Sequence, residues 1–67
     1  NNKFVYNLYA VIYHHGSNLG YGHYTASCKI NESGKWYKFD DKLVSEEYEG
    51  NICNNDAYVL FYKRQEF

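Results

Sequence analysis

The amino-acid sequence predicts a mainly antiparallel β-sheet. Aromatic residues make up 21% of the 67 residues, nine of them tyrosines, and aromatic side chains favour strands. Runs of strand length alternate with short glycine-containing stretches that are typical of turns. The chain also has no proline, the residue that interrupts strand ladders. We therefore expect one small strand-rich domain, or a part of a larger one.

The first strand is predicted over residues 4–14. Apolar residues occur there at even and odd positions alike, and successive strand residues point to opposite faces. The last strand, predicted over residues 57–63, has the same character. A strand that is apolar on both faces is usually central in its sheet and covered on both sides, so we expect this for both strands.

Two strands in the middle of the chain are predicted to form a hairpin. They cover residues 22–30 and 35–40, and the turn between them spans residues 31–34. This turn ends in Gly34, and glycine readily adopts the positive φ that hairpin turns require.

Two other connections are predicted. The glycine-rich stretch 16–22 is expected to be a loop, because its glycines interrupt a segment without periodicity. Between the hairpin and the last strand, Ser45 is expected to cap a short helical turn over residues 46–48 that Gly50 ends.

A histidine and a pair of aspartates occupy the two strands of the hairpin. If Ile30 faces Lys35 across the turn, Asp40 lies diagonal to His23 on the same face of the sheet. Asp41 would lie on the opposite face if the strand continued, so we favour Asp40 as the partner of His23. A one-residue bulge would reverse this choice.

The pair of His23 and Asp40 suits the base-and-orienter half of a nucleophilic triad. An imidazole with a pKa of about 6.5 can take and return a proton near neutral pH, and a carboxylate behind it fixes its tautomer. Cys28 is predicted on the apolar face opposite His23, where a thiol is usually a small core residue, and Cys53 has no assigned role. The proposed chemistry therefore requires a cysteine from outside this segment.

Charge and composition argue against several classes of function. The net charge is −1, with seven basic and eight acidic residues interspersed, so the basic stripe of a nucleic-acid-binding protein is missing. An apolar run of about 18 residues that would span a membrane is also missing. The paired ligand spacing of zinc sites is absent, and we expect neither a metal nor a cofactor. Two cysteines leave a single disulfide open but favour a cytoplasmic or nuclear protein.

Four motifs follow one another along almost the whole chain. They are Tyr6-x-Leu8-x-Ala10-Val11-x-x-His14-x-Gly16, Gly22-His23-Tyr24-Thr25-Ala26, Trp36-Tyr37-x-Phe39-Asp40-Asp41-x-x-Val44 and Ala57-Tyr58-x-Leu60-Phe61-Tyr62-x-Arg64. Together they closely resemble the histidine-box end of ubiquitin-specific proteases. The resemblance implies that residues 1–67 form the C-terminal, palm portion of an α+β papain-like cysteine protease domain, without its N-terminal cysteine box.

By this resemblance the complete domain is a thiol-dependent deubiquitinase that hydrolyses the (iso)peptide bond after the C-terminal glycine of ubiquitin. His23 would be the general base, Asp40 the residue that orients it, and Asp41 a second polar group near the site. The substrate-binding residues that it implies are His14, Gly22 and Tyr24. The implied partners are ubiquitin, ubiquitinated proteins and the remainder of the catalytic domain or a complementary chain. The segment alone is expected to be inactive, because the cysteine box is missing.

Two other functions are left open. A non-catalytic ubiquitin-binding relative would keep the fold without a working nucleophile, and a cysteine in an Asn-Thr-Cys context before Asn1 would argue against it. An aromatic sheet that binds single-stranded nucleic acid would also use exposed tyrosines, but it needs a positively charged groove. Because the sequence starts at Asn1 rather than at methionine, we expect it to be a piece of a longer protein.

Overall fold

A computed structural model describes residues 4–16, 22–30 and 33–65. Within these ranges the chain forms five strands and one three-residue 3-10 helix, Glu49–Asn51. The strands are β1 (Tyr6–His15), β2 (His23–Lys29), β3 (Trp36–Asp40), β4 (Leu43–Glu47) and β5 (Ala57–Arg64). They form one antiparallel sheet in the order β4-β3-β2-β1-β5, which confirms the predicted fold class. Among the described residues, no helix has the length and apolar character that crossing a membrane requires.

The hairpin of β2 and β3 has the predicted register. The backbone N–H of Ile30 donates to the carbonyl of Lys35 at 2.8 Å, and that of Gly34 donates to the carbonyl of Ile30 at 2.8 Å. Ala26 accordingly faces Phe39 across the pair. Gly34 adopts a φ of 71°, the conformation expected for glycine in this turn. Residues 31 and 32 of the predicted turn lie outside the described residues.

The helical turn predicted after Ser45 is wrong, because Ser45 lies in β4. Asp41 has a φ of 52° and opens a two-residue turn that folds the chain back along β3. Ser45 then faces Lys38 in an antiparallel ladder, so its backbone groups find partners on a strand. The 3-10 helix begins later, after Tyr48, and has no side-chain cap.

The sheet buries one of its two faces, here called the covered face. Its core consists of Val11, Tyr13, Trp36 and Ile52, with Ile52 supplied by the segment between β4 and β5. Thr25 and Ser27 are also buried, and they face Tyr13 and Val11 across β1 and β2. Since His23 is two residues from Thr25 on the same strand, it also belongs to the covered face.

The opposite face, here called the open face, carries the more apolar side chains of β2. Cys28 lies there and is only partly buried, so the prediction of a core thiol is wrong. The reason is tertiary: the segment carrying Ile52 covers the face that holds the polar residues of β2. β1 lies between β2 and β5 as expected, but β5 is an edge strand of the described sheet. Most of β5 is exposed, and β1 buries only Val11 and Tyr13 on the covered face, so the prediction that both faces are covered is wrong for both strands.

Candidate active site

The hairpin register brings His23 and Asp40 together. Extending the pairing of Ala26 with Phe39 places Asp40 opposite Thr25, one diagonal step from His23 on the covered face. The two side chains meet with 2.6 Å between Nε2 of His23 and Oδ1 of Asp40. The predicted contact between His23 and Asp40 is therefore present.

The contact with Asp40 sets the electrostatics of the His23 ring. The hydrogen bond from His23 to Asp40 raises the pKa of His23 above its ordinary value, and the charges of Asp40 and Asp41 add to this effect, while partial loss of water and the charge of Lys38 oppose it. A carboxylate only accepts hydrogen bonds, so the Nε2 atom of neutral His23 carries the proton and Nδ1 keeps its lone pair. The His23 side chain is 47% exposed, which leaves the ring accessible to a reaction partner.

Asp41 lies close to this pair but in the turn beyond β3. Because β3 ends at Asp40, Asp41 does not continue onto the opposite face. One ligand atom from each of His23, Asp40 and Asp41 lies within 4.8 Å of the others. These groups, of which Asp40 is partly buried, are the candidate cation ligands among the described residues, but Nε2 of His23 is already hydrogen-bonded to Asp40. The absence of a metal stays a prediction.

The three residues implied in substrate binding also form a group. The ring of His14 lies 4.7 Å from that of Tyr24, measured between centroids. Gly22 precedes β2 with a φ of 128°, and a Cβ atom there would overlap the carbonyl oxygen of His15 and lie 2.9 Å from Nε2 of His14. Only glycine fits this position. The Nε2 atom of His14 is buried and has no hydrogen-bond partner among the described residues.

This group and the His23 pair lie on different faces of β2. Tyr24 and His14 face each other across β2 and β1 and point to the open face, one residue out of phase with His23. Gly22 comes immediately before the first residue of β2. Of the predicted loop at 16–22, residues 17–21 lie outside the described residues.

Sequence reasoning missed a second histidine–aspartate contact. Nδ1 of His15 lies 3.1 Å from Oδ2 of Asp56, and Nε2 of His15 lies 2.8 Å from Oγ1 of Thr25. The ring of His15 stacks beside that of His23, with 6.4 Å between centroids. A strand pairing across the 16–22 loop is the sequence signal that would have placed the two histidines side by side. His15 and Asp56 are 41 residues apart in the sequence, so no local pattern predicts their contact.

These features define a class of protein. An antiparallel sheet presents an accessible imidazole that is hydrogen-bonded to a carboxylate, as hydrolases that use a separate nucleophile do. Cys28 does not complete such a site, because it lies on the face of β2 opposite His23.

The chain belongs to the ubiquitin carboxyl-terminal hydrolase family, whose family model matches residues 1–62. It is 50% identical over 62 residues to human ubiquitin carboxyl-terminal hydrolase 31, covering 92% of this chain and 4% of that protein. It is 54% identical over 61 residues to human ubiquitin carboxyl-terminal hydrolase 15, covering 91% of this chain and 6% of that protein. The predicted membership in a family of deubiquitinating proteases is thus confirmed, and the chain spans less than a tenth of these relatives.

The fold is similar to part of a solved deubiquitinase assembly. The SAGA DUB module of Ubp8, Sgf11, Sgf73 and Sus1 matches with a TM-score of 0.84 and 36% sequence identity, over 94% of this chain and 14% of that chain. The same kind of module bound to ubiquitin aldehyde matches with a TM-score of 0.84 and 36% identity, over 94% of this chain and 13% of that chain. The five strands therefore correspond to one segment of a larger hydrolase chain.

Proposed function

We propose that this chain supplies the general base His23 and its orienting residue Asp40 to a cysteine-type deubiquitinase. The observation that carries the proposal is the 2.6 Å contact between these side chains, in a segment that belongs to the ubiquitin carboxyl-terminal hydrolase family. The substrate would be ubiquitin joined through its C-terminal glycine to a protein. The nucleophilic thiol would come from a part of the protein other than these 67 residues.

The geometry suits each proton transfer of such a reaction. Nδ1 of His23 takes the thiol proton, and the thiolate attacks the carbonyl carbon of the scissile bond. The imidazolium returns the proton to the leaving amine, which leaves a thioester. His23 then removes a proton from water, whose oxygen attacks the thioester carbonyl; the C–S bond breaks, the carboxylic acid leaves, and the imidazolium returns its proton to the thiolate. Asp40 holds Nε2 throughout, so Nδ1 stays directed at the reacting atoms, and Asp41 adds negative charge nearby.

The group of His14, Gly22 and Tyr24 supports a binding role at the same end of β2 as the base, on the other face of the sheet. Gly22 has no side chain, so its backbone lies directly against His14 and His15, and an extended glycine-rich tail would lie along the same stretch of backbone. Similar modules solved with ubiquitin aldehyde and with monoubiquitin favour ubiquitin as the partner.

The proposal is tested with a ubiquitin probe that carries an electrophile at its C-terminus. We compare the natural polypeptide that contains these residues with its His23→Ala variant and with Glu46→Gln, an exposed change on β4. Removing the base is expected to slow thiol labelling and substrate turnover by at least about 100-fold, whereas Glu46→Gln retains both.

Two outcomes would overturn the proposal. Labelling of His23→Ala at the full rate would show that His23 is not the base. Wild-type protein that binds ubiquitin but neither labels nor turns over substrate would identify a non-catalytic ubiquitin-binding relative instead.

A further inference from the structure

A second histidine, His15, lies beside His23 and takes no part in the proton transfers proposed above. The two residues face each other directly across β1 and β2. Their rings are nearly parallel, with 6.4 Å between centroids and 29° between planes. Asp40 approaches His23 from β3, so His15 borders the ring from the side of β1.

Both nitrogens of His15 are held. Asp56 can only accept a hydrogen bond, so Nδ1 of His15 donates to it across 3.1 Å. The Nε2 atom of neutral His15 then accepts a hydrogen bond from the hydroxyl of Thr25 at 2.8 Å. Thr25 is only 5% exposed, and a buried hydroxyl needs such a partner.

The residue whose carboxylate holds His15 is itself anchored through its backbone. The backbone N–H of Asp56 donates to Oδ1 of Asn54 at 2.8 Å, and the carbonyl of Asp56 accepts from the backbone N–H of His14 at 3.0 Å. The turn before β5 is thereby tied to β1 at the position next to His15. The ring of His15 is consequently fixed from three directions: its own strand, β2 and this turn.

We infer that His15, locked by Asp56 and Thr25, is a positioning residue for His23; this inference rests on the function proposed above. A single hydrogen bond to Asp40 leaves the His23 ring free to swing about that contact. A fixed neighbouring ring limits the swing on the β1 side. Thr25 lies on the strand of His23, two residues further on, so the bond between His15 and Thr25 also fixes β1 against β2 beside the site.

The first test removes one hydrogen bond of this network at a time in the natural polypeptide that contains these residues. Thr25→Val deletes the hydroxyl at nearly constant shape, and Asp56→Ala deletes the acceptor at an exposed position. Solvent exchange of the His23 Nε2–H, measured by nitrogen-15 NMR, is expected to be about tenfold faster in both variants. The value of kcat is expected to fall about tenfold at unchanged KM. This is less than the roughly hundredfold loss of rate that a 1 Å misplacement of a reacting group causes, because His23 keeps its contact with Asp40.

Conservative variants serve as matched controls. Thr25→Ser retains the hydroxyl and Asp56→Asn retains an acceptor oxygen, so both are expected to remain within about twofold of the wild type. Unchanged Nε2–H exchange and kcat in Thr25→Val and Asp56→Ala would overturn the inference. Equal losses in the conservative variants would also overturn it, because they would reflect general loosening of the sheet. If the two variants exchange the His23 Nε2–H faster than the wild type but the wild type itself shows no turnover, the positioning role is retained and the proposed reaction is refuted.

Discussion

At the residue scale, Asp40 and Asp41 act on His23 in different ways. Asp40 contributes a hydrogen bond and a charge to His23, whereas Asp41 contributes charge alone. We therefore predict that Asp40→Asn lowers the pKa of His23 clearly and Asp41→Asn lowers it less. An NMR titration of the His23 ring in the two variants measures both shifts. A larger shift in Asp41→Asn would contradict the assignment of Asp40 as the orienting residue.

The same contact makes the stability of the fold depend on pH. The pKa of His23 is raised in the folded state, so the contact with Asp40 stabilises the fold fully below the unfolded pKa of about 6.5. This contribution is lost as the pH rises through the folded pKa. The difference in unfolding free energy between wild type and Asp40→Asn is therefore expected to be larger at about pH 6 than at about pH 8. A difference that grows with pH would have the wrong sign.

The contact of His23 with Asp40 was predictable, but the network of His15 was not. Turn chemistry at Gly34 and the alternation of strand residues specify the hairpin register, and that register pairs His23 with Asp40. The contact between His15 and Asp56 depends instead on how the turn before β5 settles against β1. Such long-range docking has no local pattern in the sequence.

At the element scale, β4 shows where local propensity misleads. Ser45 resembles a helix cap in the sequence, yet the chain reverses at Asp41, and aspartate is one of the few residues besides glycine that tolerate positive φ. Once reversed, the segment gains a full ladder with β3. The sequence also predicted the wrong buried face for β2. Its pattern shows which residues share a face, but it does not show which face the segment carrying Ile52 covers.

A buried hydrogen bond joins β1 to the segment that closes the covered face. The hydroxyl of Tyr13 donates to the carbonyl of Ile52 at 2.5 Å, and burial raises the pKa of Tyr13. We predict that Tyr13→Phe lowers the free energy of unfolding by about 1–3 kcal/mol, because the carbonyl stays buried without its donor. Urea unfolding measures the loss. Tyr62→Phe, on an exposed tyrosine of β5, is the control and is expected to change stability by less than about 0.5 kcal/mol; equal losses in the two variants would contradict the prediction.

At the scale of the whole molecule, the described sheet has one core and one open aromatic face. The core is small, with four buried hydrophobic residues on the covered face. The open face has exposed rings at Tyr9, Tyr24, Phe39 and Tyr58. Stability within the described part of the chain therefore depends on the covered face, and above all on the segment that closes it.

Ile52 is the residue through which that segment reaches the core. It is 2% exposed and packs in one cluster with Val11, Tyr13 and Trp36, so Ile52→Ala is expected to cost about 2–5 kcal/mol. Because small domains are stable by only about 5 kcal/mol or a little more, the variant should unfold at a much lower urea concentration. Trp36 is the one tryptophan of these 67 residues and is buried in this cluster, so a change in its emission reports on the opening of this core. Leu43→Ala, at a residue that is 72% exposed, is the matched control; an Ile52→Ala midpoint equal to that of the control would show that the covered face is held together without this segment.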